Sequence, residues 1–294
     1  MTKIQILTDS CSDLNAELRA KYGIDYVHMK TIVDGKETPA SLDWEYYSPK
    51  EMYDALRAGK RITTAQVPNE EFEEVFTKYL KQDCDVVYVG CSLSLSGSVN
   101  AGKLVAEQLL ANFPGREIYC VDSKCSCYGE GALAIRATEY RDAGMSAKEI
   151  AVKIAAECNT MNQFATVDSL EYLRKAGRVT GAAAFFGSIF SVKPIIISDA
   201  VGNNYAIKKV KGRKNALAEC ISMLKQIVKE PEKQILYVGH ADCLDEALAV
   251  KDQIMQEVPF KSAYVNWLGP IIGSTTGPGT IGIYCFGDEV TVQA

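Results

Sequence analysis

The 294-residue sequence lacks several features that define large classes of proteins. No segment approaches the roughly 18 consecutive apolar residues of a membrane-spanning helix, so we expect no stable insertion into a membrane. The first ten residues, MTKIQILTDS, lack the long apolar region of a secretion signal, so we expect a cytoplasmic protein. The net charge of −5 argues against binding to a phosphate backbone, and hence against a nucleic-acid partner.

Histidine is almost absent, since only His28 and His240 occur, and this limits the metal sites that the ten cysteines could build. The cysteines are scattered over the whole chain without a C-x-x-C pair, and Cys125-x-Cys127 has neither a second pair nor a nearby histidine. This spacing does not favour a zinc site. We therefore expect no metal, no cofactor and no disulfide, and we interpret the thiols as small buried apolar groups.

The sequence also lacks the common motifs of nucleotide binding and of serine hydrolysis. No G-x-x-x-x-G-K-[ST] occurs, and the first predicted strand is followed by Asp9–Ser12 in place of G-x-G-x-x-G. Gly90–Ser94 follows a strand as a hydrolase elbow would, yet it lacks the second glycine of G-x-S-x-G. A lipid or ester hydrolase that uses Ser92 or Ser96, with His240 downstream, stays open as an alternative.

What the sequence does contain is an alternation of short apolar strands with amphipathic helices. Predicted strands at Lys3–Thr8, Asp85–Gly90 and Ile118–Val121 are separated by helices, which is typical of a parallel sheet. The rhythm changes near Thr160, and strands become more frequent after it. We therefore predict an α/β protein with two lobes: residues 1–160 with a mainly parallel sheet, and residues 161–294 with a mixed sheet.

Local signals predict where some elements begin and end. Ser48–Glu51 is a capping box with proline at the first helical position, and Asp34-Gly35 is a hairpin turn signal. Asp242 is placed to cap the helix that follows it. The polar stretch Arg61–Pro68 fits neither the helix nor the strand period, so we predict no regular structure there.

Three segments, which we interpret as loops after strands, are unusually rich in hydroxyl groups and glycine: Thr63–Gln66, Ser92–Ser98 and Gly269–Gly279. Such loops converge on one crevice at the carboxyl edge of an α/β sheet. Backbone amides at the start of a following helix favour an anionic group there. The three segments together predict a cradle for a carboxylate or a phosphate, although capping and turn formation alone also explain serine, threonine and glycine at these positions.

These segments and several others resemble the DegV family of bacterial fatty-acid-binding proteins. The resemblance covers nearly the whole chain and rests on Thr8-Asp9-Ser10 with Asp13-Leu14, Thr64-Ala65-Gln66, Leu95–Ser98, Val121-Asp122-Ser123, Leu170–Arg178, Lys193-Pro194 and Gly269–Gly279. It implies a two-domain α/β fold that buries an acyl chain and holds its carboxylate with hydroxyl groups. It also implies a partner, because better-understood members present the bound fatty acid to an ATP-dependent fatty acid kinase subunit that makes an acyl phosphate.

Position by position, the resemblance makes Thr64 and Ser96 the groups that hold the carboxylate, with Gly97, Thr275 and Thr276 beside them. The family motif L-S-G-T reads Leu-Ser-Gly-Ser here. The family histidine of G-T-H-T-G-P-G is replaced by Thr275, which can donate a hydrogen bond but cannot carry a proton as imidazole does. The change therefore affects presentation of the acid to a kinase more than it affects binding of the carboxylate.

Two more expectations follow from the resemblance and the composition. Arg174 and Arg178 match a family signature and are candidates for contact with the kinase subunit. The apolar runs Ala182–Phe186 and Ile189-Phe190 are candidates for lining the acyl tail. We expect a non-catalytic lipid carrier of this kind, and a carrier of another small anionic ligand stays open as a further alternative.

Overall fold

The computed structural model describes residues 3–181 and 191–294, and strands and helices alternate along most of these ranges. The described strands are β1 (Lys3–Asp9), β2 (Ile24–Val27), β3 (Lys30–Val33), β4 (Lys36–Pro39), β5 (Ile62–Ala65), β6 (Cys84–Gly90), β7 (Ile118–Asp122), β8 (Met161–Thr166), β9 (Val192–Ser198), β10 (Asn204–Lys211), β11 (Ile235–His240), β12 (Ser262–Trp267) and β13 (Ile281–Phe286). The described helices are α1 (Ala16–Tyr22), α2 (Pro49–Arg57), α3 (Asn69–Leu80), α4 (Ser98–Leu110), α5 (Cys127–Asp142), α6 (Ala147–Glu157), α7 (Glu171–Ala176), α8 (Arg213–Ile227), α9 (Leu244–Glu257) and α10 (Pro270–Thr276).

The first sheet has four parallel strands in the order β2-β1-β6-β7. Successive side chains of a strand point to opposite faces, and both faces of this sheet are apolar. Leu7 and Val86 pack in a core with α3 and α4, whereas Ile6 and Val87 pack in a core with α5 and α6. Helices on both faces explain why β6 is buried along its whole length.

The second sheet is mixed, with the order β10-β9-β8-β13-β11-β12, in which β11 and β12 are parallel and the other neighbours antiparallel. Helices α8 and α9 cover one face. Helix α5 covers the other, where the Tyr128 ring lies 5.9 Å from that of Tyr237 and 6.0 Å from that of Tyr284. The predicted fold class, with a parallel and a mixed sheet, is confirmed. The boundary near residue 160 stays a prediction.

A third, small antiparallel sheet has the order β4-β3-β5. It confirms the turn at Asp34-Gly35, whose φ angles of 52° and 78° suit a tight hairpin. It also shows that the prediction of no regular structure over Arg61–Pro68 was wrong, because β5 lies there and pairs with β3 through Thr31 opposite Thr64. All four residues of β5 are half-buried, so no alternation of apolar and polar residues marked it in the sequence.

The predicted capping box at the start of α2 is confirmed: the Ser48 hydroxyl accepts from the Glu51 amide, and Glu51 accepts from the Ser48 amide. The predicted cap at α9 was wrong. Cys243 is the residue that precedes α9 and makes no capping hydrogen bond, whereas the Asp242 carboxylate is paired with Arg57 of α2. That ion pair joins two segments far apart in sequence, so local spacing could not indicate it.

One other interpretation needs correction. The segment Gly269–Gly279, interpreted as a loop, contains helix α10 with Pro270 at its first position. Its glycine and threonine content concealed this helix, because both residues have low helix propensity. No helix among the described residues is long and apolar enough to cross a membrane.

Candidate functional site

A cavity of about 160 Å³ lies beyond the carboxyl ends of the parallel strands. Cys11, Cys91 and Ser126 line it, and they follow β1, β6 and β7 respectively. Strand β1 pairs with β2 on one side and with β6 on the other, so the chain order reverses at this point of the sheet. Ligands of open α/β sheets bind in the crevice at such a switch point.

The opposite wall of the cavity comes from the mixed sheet and its helices. Its apolar side chains are Ala165, Val167, Leu173, Ile196, Leu268, Ile271 and Ile272. Polar groups interrupt this surface: the Gln163 amide donates to Asn204 Oδ1 at 3.2 Å, and Asn204 donates to the backbone oxygen of Arg178. The cavity lining is therefore more apolar than polar, with polar groups at defined positions, as is usual for ligand sites.

Strand β5 and the serine-rich segment before α4 meet at one side of the cavity. The Ser98 hydroxyl accepts from the Val67 amide at 3.1 Å and lies 2.9 Å from the Ser96 hydroxyl. A Cβ atom on Gly97 would overlap Gln66 Oε1, so glycine permits this close approach. The Thr64 hydroxyl makes no hydrogen bond within the described residues, which leaves it available to a ligand.

Helix α10 brings two threonines to the same cavity. The Thr275 hydroxyl donates to Ile271 O at 2.7 Å, and the Thr276 hydroxyl donates to Ile272 O at 2.9 Å. Such bonds to the preceding turn of a helix are local and compete with other partners. Both hydroxyls must therefore rotate before they can donate to a bound anion, whereas Thr64 need not.

All five residues that the sequence assigned to carboxylate binding, namely Thr64, Ser96, Gly97, Thr275 and Thr276, line this one cavity. They come from three segments that lie more than 30 residues apart in sequence, and the fold brings them together. Arg178, assigned to partner contact, also lines the cavity, and its Nε donates to Leu95 O at 3.1 Å. Arg174 is exposed on α7 and is not among the lining residues.

Sequence reasoning missed other residues that line the cavity, among them Cys11, Met29, Gln66, Cys91 and Gln163. Gln66 stands two residues after Thr64 in the motif Thr64-Ala65-Gln66, so its position was a usable signal. No local pattern marked the others, because they belong to different strands or strand ends. The apolar runs Ala182–Phe186 and Ile189-Phe190, assigned to the acyl tail, lie outside the described residues.

A larger open groove of about 720 Å³ adjoins the cavity and shares Thr64, Thr275 and Arg178 with it. Among the described residues, its other cationic lining residues are Arg57, Lys60, Arg61 and Lys175, and its one acidic lining residue is Glu171. Three of these cations form ion pairs: Arg57 with Asp242, Lys60 with Asp34 and Lys175 with Glu171. Arg61 and Arg178 form no ion pair among the described residues, so these two supply the unpaired positive charge beside the hydroxyl groups.

Neither of the two histidines lines the cavity that contains the candidate serine Ser96. His240 is buried, packs on Trp267 with 4.7 Å between ring centroids and does not line the cavity. Burial lowers the pKa of His240 to about 4. Ser92 Oγ accepts a hydrogen bond from the Ser94 amide. His28, the other histidine, is paired with Glu71 and also lies outside the cavity lining.

Fold and site together define a class of α/β proteins in which a mainly apolar cavity lies between a parallel and a mixed sheet, with hydroxyl groups on one side. Comparison with known proteins identifies the family. A family model described as "Uncharacterised protein, DegV family" matches residues 3–288. The chain belongs to the DegV family.

Individual relatives match along their whole length. A DegV domain-containing protein of Clostridium perfringens is 33% identical over 288 residues, covering 98% of this chain and 99% of the relative. A solved structure described as "Fatty Acid Binding of a DegV family Protein from Thermus thermophilus" is 29% identical with a TM-score of 0.83, covering 97% of this chain and 100% of that chain. The structure of DegV, described as a fatty acid binding protein from Bacillus subtilis, has a TM-score of 0.83 at 24% identity, with 97% and 100% covered. This last similarity shows the fold alone.

Proposed function

We propose that this protein binds a long-chain fatty acid, with the tail buried and the carboxylate held by hydroxyl groups, and that it has no catalytic activity of its own. The observation that carries the proposal is the cavity in which Thr64, Ser96 and Thr275 face a mainly apolar space. A similar protein from Thermus thermophilus, described by its fatty acid binding, supports the same ligand class.

The physical chemistry of such a ligand suits this cavity. Each buried methylene contributes about 0.8 kcal/mol, so the tail supplies most of the affinity. The hydroxyls contribute orientation, and they satisfy an acid group that is costly to bury without partners. Thr64 can donate to a carboxylate without breaking another hydrogen bond, because its hydroxyl makes none within the described residues.

The proposal includes presentation of the bound acid to a separate ATP-dependent fatty acid kinase subunit. The basic groove supports this part, since it reaches the cavity at Thr64 and Thr275 and would attract an acidic partner or a nucleotide phosphate. Arg178 borders both spaces, and the exposed Arg174 lies on α7 beside the groove residues Glu171 and Lys175.

The test of binding is native mass spectrometry of the purified protein, followed by lipid extraction and by thermal melting with and without added fatty acid. We expect one acyl chain per protein, and a rise in melting temperature when fatty acid is added to delipidated protein. Recovery of no acyl chain, together with an unchanged melting temperature, would contradict the proposal. A rise in melting temperature with a short anion but not with a fatty acid would indicate the alternative, a carrier of another small anionic ligand.

The kinase part is tested separately, with the delipidated protein reloaded with labelled fatty acid and mixed with a bacterial fatty acid kinase subunit and ATP. We expect labelled acyl phosphate to form, and we expect less of it with the Arg174→Glu and Arg178→Glu variants. Loading without acyl phosphate would leave a carrier that does not present its ligand. Labelling of Ser92 or Ser96 by a fluorophosphonate would instead indicate a hydrolase, which no geometric observation favours.

A further inference from the structure

Two thiols, a thioether and a carboxylate meet beside the cavity, although they come from four separate segments. Cys11 follows β1, Cys91 follows β6 and Glu130 lies in α5, and one ligand atom of each lies within 4.8 Å of the others. Met29 adds a second kind of sulfur, with its Sδ 3.4 Å from Cys11 Sγ. All four side chains are at most 4% exposed. We call these residues the sulfur cluster.

The carboxylate of this cluster has an unused oxygen. Glu130 Oε1 accepts from the Thr8 hydroxyl at 2.8 Å, whereas Glu130 Oε2 is buried and has no hydrogen-bond partner. A buried polar atom without a partner is costly, so it calls for an explanation.

A single carboxylate fixes the two thiol-bearing segments. Asp9 Oδ1 accepts from the Cys11 amide at 2.8 Å, and Asp9 Oδ2 accepts from the Cys91 amide at 3.1 Å and from the Tyr88 hydroxyl at 2.6 Å. Partners of this kind, one shell outside the ligands, orient metal sites and are part of their design. Cys11 and Cys91 also line the cavity, which supplies the path by which an ion enters.

We propose that Cys11, Cys91 and Glu130 form a binding site for a thiophilic d¹⁰ cation, Zn²⁺ in the first instance, with Met29 as a neighbouring soft donor. Two thiolates and a carboxylate are common zinc ligands, and thiolates and thioethers select soft metals. Binding exchanges the protons of the two thiols and of the Glu130 carboxyl for the cation, so that M²⁺, two R–SH and one R–COOH give M(SR)₂(OOCR)⁻ and three H⁺ without oxidation or reduction. This proposal departs from the expectation of no metal that the cysteine spacing gave.

The test uses the full-length, reduced protein after chelation and dialysis against excess Zn²⁺ or Cd²⁺. We expect one bound ion per chain by elemental analysis, and the ultraviolet thiolate-to-cadmium charge-transfer band. The Cys11→Ser/Cys91→Ser double variant loses both signals. Loss of an outer-shell partner already weakens metal binding by about 10- to 100-fold, so Glu130→Gln weakens Zn²⁺ binding at least that much. The matched control, Cys120→Ser/Cys243→Ser, removes two half-buried thiols outside the cluster and binds as the unchanged protein does.

Two results would overturn the site: no ion bound by the unchanged protein, or an equal ion content in the Cys11→Ser/Cys91→Ser variant. Should that variant fail to fold, X-ray absorption of the zinc-loaded protein decides, and a donor set without two sulfurs contradicts the proposal. Fatty acid retention is measured on the metal-free protein, so failure of the metal site and failure of lipid binding are told apart.

Discussion

The hydroxyl of Ser98 accepts a hydrogen bond from the backbone amide of Val67 at 3.1 Å and so joins the segment after β5 to the first residue of α4. Both residues are buried. Ser98→Ala leaves the Val67 amide without a partner, which costs about 1–3 kcal/mol. We expect that loss in the free energy of unfolding, measured by urea denaturation, together with weaker fatty acid retention, because Thr64 and Ser96 are no longer held together.

Ser94→Ala is the matched control for this change. Ser94 lies in the same segment but is exposed, and its hydroxyl donates to Val201 O instead. We expect little effect of Ser94→Ala on either quantity. Equal losses in the two variants would show that the hydrogen bond between Val67 and Ser98 does not account for the effect of Ser98→Ala.

The proposed carboxylate donors are tested by Thr64→Val and Ser96→Ala. A hydrogen bond to a charged group contributes about 1.5–3 kcal/mol, so each change is expected to raise the Kd for fatty acid by about 10- to 100-fold. Isothermal titration of the delipidated protein measures this. Thr63→Val is the control, because Thr63 lines the groove and not the cavity. Unchanged affinity in Thr64→Val/Ser96→Ala would remove both residues from the site.

Gly97 and Gln66 are coupled by contact. The φ of Gly97 is −79°, so an alanine there meets no backbone strain and its Cβ clashes only with Gln66 Oε1. We expect Gly97→Ala to weaken fatty acid binding by displacing Gln66 toward the cavity. In the Gln66→Ala background the same change should have a much smaller effect, which a double-mutant cycle of Kd values measures. Additive effects would contradict a direct clash.

The sequence predicted the parallel sheet, the mixed sheet and the positions of most elements, because those depend on local periodicity. It failed where a distant partner decides the outcome. Strand β5 forms because it pairs with β3. Asp242 forms an ion pair with Arg57 and does not cap α9. Neither partner is visible within a short window of sequence.

The candidate site also contains some residues that the sequence predicted and others that it did not. Thr64, Ser96 and Thr275 were found because each stands in a short motif of the family resemblance. Cys11 and Cys91 are 80 residues apart in sequence and meet only because β1 and β6 are neighbouring parallel strands. Spacing rules for metal ligands apply to local pairs, so they could not indicate this cluster.

Thr275 occupies the position of the histidine in the family motif, and Thr275→His restores a titratable group there. An unperturbed histidine has a pKa of about 6.5, so below that pH its positive charge attracts the carboxylate. We expect the variant to bind fatty acid more tightly at pH 6 than at pH 8 by titration calorimetry. The control is Thr275→Gln, which is similar in size but does not titrate. The same pH dependence in both variants would exclude a role for the imidazole charge.

His240 is expected to make the folded protein sensitive to acid. Burial disfavours the charged ring and lowers the pKa of His240 from the ordinary value of 6.5 to about 4 in the folded state. As the pH falls below about 6.5, the unfolded chain binds a proton that the folded chain does not, so stability declines until the folded pKa is reached. Urea denaturation between pH 7 and pH 4 measures this decline.

His240→Phe removes the titrating ring and keeps a flat group against Trp267. We expect its free energy of unfolding to fall less steeply with acid than that of the unchanged protein. The Nδ1 atom of His240 is buried without a hydrogen-bond partner, so the replacement sacrifices no hydrogen bond at that atom. His28→Gln is the control, since it leaves His240 in place and retains its contribution. Parallel pH profiles for His240→Phe and the unchanged protein would show that His240 accounts for none of the acid sensitivity.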